Sequence, residues 1–179
     1  MVPQDQLSPE LRELLAARLE GPGQLAELLL RAAEQPQALG HFVRWRQELE
    51  ETLPPRLATV VAMSVATEAR SEYLLARQEE LAPERGLEEE EVRRLVAGQA
   101  MSCATLAPEE VAAATLARCL AGEGGRGCEA ALLRLRRLVG EPGSVACLML
   151  AASQLGLVAM ANAWRLDAAE QPDPGEVSA

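Results

Sequence analysis

Cys103, Cys119, Cys128 and Cys147 are the four thiols of the chain, and His41 is its one imidazole. Thiolates attack peroxides and disulfides and bind soft metals, and a histidine can carry the protons those reactions move. The spacing gives them little help. No two cysteines form a Cys-x-x-Cys pair, and His41, in Leu39-Gly40-His41-Phe42, has no evident partner. A metal site and a cofactor are therefore not expected. Cys103 precedes a helix start at Pro108, where a helix N-terminus could lower a thiol pKa and make it a displaced redox group. Cys119 and Cys128 flank the loop "LAGEGGRG" and could meet as a disulfide. The default for all four is a free thiol, buried like a small hydrophobe.

Carboxylates give a second possible chemistry. Glu68 and Glu72 stand at i, i+4, and Glu72 and Glu79 at i, i+7, so on one helix all three share a face. Glu72 or Glu79 could then act as a base. The expectation is plainer: a solvated stripe, with Arg70 and Arg77 as salt partners.

The composition narrows the possible partners. Net charge is −10, and all basic residues are Arg, with no basic stripe interleaved with aromatics, so nucleic-acid binding is not expected. Arg134, Arg136 and Arg137 read as a solvated helix face. "MVPQDQLSPE" lacks a basic and an apolar region, so no secretory signal is expected. The run 145–163, "VACLMLAASQLGLVAMANA", is long enough to test as a membrane span. Its alanines, Ser153, Gln154 and Asn162 suit a core or subunit-interface helix better. The expectation is a soluble, cytoplasmic protein with no membrane partner.

These residues must be positioned by helices, since strand and hairpin signals are nearly absent. Helix signals place segments from Ser8-Pro9 to about Glu20, 24–34, Pro36 to Thr52, and a long one from Arg56 to about Ala82 closed by Gly86. Further helices are expected at 87–97, from Pro108 to about Leu120, over 128–139, and after "GEPGS". That makes about eight helices in one all-α domain, residues 1–168, with a flexible tail over 169–179.

Three segments at related intervals carry a family resemblance: Leu53-Pro54-Pro55-Arg56, the Tyr73 stretch "SEYLLARQ", and Gly86-Leu87 followed by four glutamates and Val92. Together they resemble the AhpD-like superfamily of alkylhydroperoxidases and carboxymuconolactone decarboxylases, best over residues 30–98. The resemblance implies an all-α AhpD-like helical bundle that assembles as a homo-oligomer. In the peroxidase branch a Glu, two Cys three residues apart and a His form a thiol relay. Those positions fall here on Thr59, Ser71, Leu74 and Gln78. In the decarboxylase-like branch the pattern is Tyr-Glu-Trp-x-x-His, of which only Tyr73 persists.

None of these four residues forms a thiolate, resolves a disulfide or titrates near neutral pH, so the family's relay chemistry is excluded at this site. The expected function is a divergent member without the relay, non-catalytic or binding a small molecule through Ser71, Tyr73 and Gln78. The alternative is a peroxidase- or decarboxylase-like enzyme using a displaced Cys103 or Glu72.

Overall fold

Proline fixes where four of the helices begin. Pro9, Pro36, Pro55 and Pro108 occupy first helical positions, where the missing N–H costs nothing and the fixed φ already suits a helix. The computed structural model describes residues 1–19 and 25–166. The expected end of the first helix near Glu20 and the expected flexible tail at 169–179 lie outside the described residues. Within them the chain is all-α, with eight α-helices and no strand. They are α1 (Pro9–Leu19), α2 (Ala26–Ala32), α3 (Pro36–Thr52), α4 (Pro55–Glu68), α5 (Glu72–Leu81), α6 (Glu89–Val96), α7 (Pro108–Glu123) and α8 (Glu129–Ala163).

The eight are not divided as the sequence suggested. The expected single helix from Arg56 to Ala82 is two, because Arg70 takes a left-handed conformation with φ 53°. The Ser71 N–H then bonds the Ala66 carbonyl at 3.0 Å, and the Arg70 N–H bonds that of Thr67 at 3.1 Å. This is a Schellman cap with arginine where glycine is usual. The segments expected at 128–139 and after 140 are both present: α8 is two helical stretches that meet at Gly140, whose backbone is non-helical (φ 76°, ψ 177°). Glycine tolerates this conformation without a Cβ clash.

Helix α4 is the central element. Ten successive residues, Leu57 to Ala66, are buried, as expected of a helix packed on all sides. Leu57, Val61 and Val65 join the main core with leucines of α1, α2, α3 and α8. Val60 and Met63 belong to a second core with Leu87, Leu95, Cys103 and Leu106. Helix α7 offers buried Ala112, Ala113, Ala114 and Ala117, small side chains that let neighbouring backbones come close. Helix α8 is long and apolar enough to cross a membrane by composition alone, but 56% of its most apolar window is buried inside the protein.

Arg56, in the first turn of α4, ties this helix to two others. Its guanidinium bonds Glu91 at 2.9 and 3.1 Å and Glu110 at 2.9 and 3.2 Å, and also reaches the Gly86 carbonyl. Both carboxylates also cap helices. Glu91 accepts the Glu88 N–H at 2.8 Å where α6 starts, and Glu110 accepts the Ala107 N–H at 2.9 Å where α7 starts. Hydrogen bonds to the two glutamates push the Arg56 pKa above its usual value. At the far end of α4, Arg118 pairs with Glu68 at 2.8 Å and donates to the Gly98 carbonyl, tying α4 and α7 to the end of α6.

The left-handed cap gives a prediction. Arg70 is exposed, so Arg70→Gly should raise unfolding free energy in urea by about 0.5–1 kcal/mol, relief of backbone strain being partly offset by glycine's chain entropy. A loss of stability would mean that Arg70 holds the α4–α5 turn by contacts of its own.

Candidate functional site

The α4–α5 turn brings together two of the four positions that the resemblance singles out. Thr59 on α4 and Gln78 on α5 line one cleft, with Arg46 and Glu50 of α3, Pro55, Ala58, Ala62, Leu81 and Arg85. Ser71 and Leu74 are not among its walls. Leu74 is fully buried in the main core. Ser71 is the residue before α5, also buried, and its hydroxyl has no hydrogen-bond partner. Tyr73 is buried in another direction. It lies under the Arg77 guanidinium, 5.3 Å from the ring centroid, and bonds the backbone of Leu28 on α2. Burial pushes the Tyr73 phenol pKa up, against the pull of Arg77. Of the residues proposed to hold a ligand, only Gln78 faces the cleft.

The charged wall of this cleft comes from α3. Arg46 is buried, donating to Glu50 at 2.9 Å and to the Ser153 hydroxyl at 3.0 Å. Burial lowers the Arg46 pKa, with Glu50 opposing it and Arg18 adding to it. The Thr59 hydroxyl donates back to the Pro55 carbonyl at 3.0 Å, a bond to its own helix that takes up its proton. The free volume is about 40 Å³, room for a water or a group of that size. The cleft contains no thiol and no imidazole. It can polarise and orient a very small polar guest, and it holds no sulfur for peroxide chemistry.

Sequence reasoning missed Arg46, Glu50 and Arg85. The i, i+4 spacing of Arg46 and Glu50 is visible, but such pairs usually face water, and only the packing of α3 on α8 buries this one.

The other candidates stand apart. The turn at Arg70 divides the proposed carboxylate face: Glu68 ends α4 in its pair with Arg118, while Glu72 and Glu79 are exposed on α5. Arg77 pairs with Glu80 at 2.8 Å. Cys103 is buried in the second core, its Sγ 3.4 Å from the Thr105 hydroxyl. His41 is exposed on α3, in a shallow groove with Ser8, Glu10 and Arg44. All four thiols are free; burial pushes Cys147 up to about 11. Among the described residues no cluster of three or more metal-ligating side chains occurs. Compared with known proteins, the chain matches no protein-family model, no curated protein and no solved structure.

If Arg46 is the structural wall of the cleft, Arg46→Ala should cost roughly 1–3 kcal/mol in urea unfolding, because it removes the buried bonds to Glu50 and Ser153 while Glu50 keeps its pair with Arg18. Arg85→Ala, on the exposed lip, should change stability by no more than about 0.5 kcal/mol. Equal effects would contradict this division of roles.

Proposed function

We propose that the chain is a divergent AhpD-like helical protein, a homo-oligomeric scaffold whose cleft, at the relay positions the resemblance assigns, is non-catalytic. One observation carries this reading: the first and last relay positions, Thr59 and Gln78, lie far apart in sequence but line the same cleft. The Arg56–Glu91 pair adds support, since it joins the Leu53-Pro54-Pro55-Arg56 segment to the Gly86–Val92 segment through a specific contact. Solved structures contribute nothing to the reading, because none matches. With room for little more than a water, the cleft favours the scaffold over a binder of organic molecules; a water-sized polar guest is the ligand it would take.

The subunit surface is assigned to α8. Of six large apolar side chains exposed among the described residues, four lie on it: Leu133, Leu138, Val145 and Met149. Val145 and Met149 are one turn apart, on one face. An acidic surface, net charge −10, gives nucleic acid no counterpart.

Two measurements test the proposal. Light scattering at micromolar concentration should give a multiple of the 19.2 kDa chain mass, and Met149→Glu should shift it toward the single chain; a monomer from the outset contradicts the assembly. A Cys119→Ser, Cys128→Ser variant should show no sustained turnover of an alkyl hydroperoxide with a dithiol reductant. Turnover there would mean that Cys103 or Cys147 supports catalysis.

A further inference from the structure

Outside the cleft, two thiols meet at the turn between α7 and α8. Cys119 lies in the last turns of α7, and Cys128 is the residue just before α8. The Cys119 Sγ sits 3.6 Å from the Arg126 carbonyl, which places it against the chain two residues before Cys128. The intervening turn holds three glycines with positive φ, Gly124 (61°), Gly125 (84°) and Gly127 (72°). Such a turn folds the chain back sharply and leaves the backbone the freedom that disulfide geometry demands. Cys119 is half-buried and Cys128 buried.

We propose that Cys119 and Cys128 form a reversible dithiol–disulfide pair oxidised by hydroperoxides, with Cys119 attacking and Cys128 resolving. The assignment of roles follows from access and charge. Cys119 is the thiol that solvent reaches. Burial, then the neighbouring Cys119, then the carboxylates of Glu123 and Glu129, push Cys128 up to about 12, so Cys128 keeps its proton and the accessible Cys119 attacks first. The Cys119 Sγ attacks one peroxide oxygen and the O–O bond breaks. The leaving alkoxide takes a proton and departs as an alcohol, or as water from hydrogen peroxide. Cys119, its proton passed to the leaving alkoxide, is now a neutral sulfenic acid. The Cys128 Sγ then attacks the Cys119 sulfur, the S–O bond breaks, and hydroxide leaves as water with the Cys128 proton. The peroxide gains two electrons and the two thiols lose them. A dithiol reverses the step by exchange.

This pair is independent of the cleft and of the AhpD-like reading. It is tested by treating the reduced full chain with limiting hydrogen peroxide, alkylating, and digesting with trypsin, which cuts after Arg118, Arg126 and Arg134. A linked pair of peptides, 119–126 with 127–134, should appear first, with Cys103 and Cys147 still alkylated, and dithiothreitol should abolish it. Cys128→Ser should leave a sulfenic acid at Cys119 that dimedone traps. In Cys119→Ser, oxidation of Cys128 should slow at least about tenfold, as expected when the accessible thiol is removed and a buried one is left. Oxidation of Cys119 to sulfinic acid in the unsubstituted chain while Cys128 stays a thiol would overturn the proposal. So would oxidation of all four thiols at one rate.

Discussion

One guanidinium determines how the rest of the bundle is set. Arg56 meets Glu91, Glu110 and the Gly86 carbonyl, and each of these belongs to a different piece of chain. The two glutamates already satisfy backbone N–H groups at the starts of α6 and α7. The arginine therefore neutralises two carboxylates whose positions are fixed by capping. A planar, five-donor side chain can serve both at once; a lysine ammonium cannot. Glu91 is only 2% exposed, so without Arg56 a charge would stay behind in a place that water scarcely reaches. The pair is costly to break even where its formation contributes little net stability.

From that anchor α4 runs through the middle of the protein with both cores on its sides, and everything proposed for the cleft depends on its register. Thr59 lies one turn beyond Arg56, and the left-handed turn at Arg70 swings α5 back so that Gln78 returns to the same cleft. Helix α3 closes it with the Arg46–Glu50 pair. The result is a charged, nearly filled crevice with neither a thiol nor an imidazole among its walls. The thiols that do meet are at the α7–α8 turn, where a short run of glycines folds one helix back on the next.

Much of the helix plan was legible in the sequence because proline and glycine act locally. Pro36 and the Leu53-Pro54 break give the bounds of α3 directly, and Gly86 closes its turn as expected. The division of residues 56–82 was not legible. Arginine carries no signal for a left-handed cap, and the apolar pattern continues through the turn, so periodicity alone reads one helix. The site was half legible. The family resemblance named Thr59 and Gln78, but the walls from α3 depend on long-range packing that no local pattern encodes. The same holds for Arg56: its place in a segment was visible, and its two partners were not.

Unfolding free energy measured from pH 7 down to pH 3, for the unsubstituted chain and Arg56→Ala, tests the clamp most directly. Burial acts to raise the Glu91 pKa, but hydrogen bonds from Arg56, the Glu88 N–H and Thr105 overcome it, leaving it below its ordinary 4.5. A folded-state pKa below the unfolded one means that this stabilisation is complete above the unfolded value and is lost as pH falls through the folded value. Arg56→Ala should lose about 2–4 kcal/mol at pH 7, a partly solvated version of breaking a buried pair. Its deficit should shrink as the pH drops and Glu91 takes up a proton. A variant as stable as the unsubstituted chain, or a deficit that stays constant down to pH 3, would contradict the central place given to Arg56.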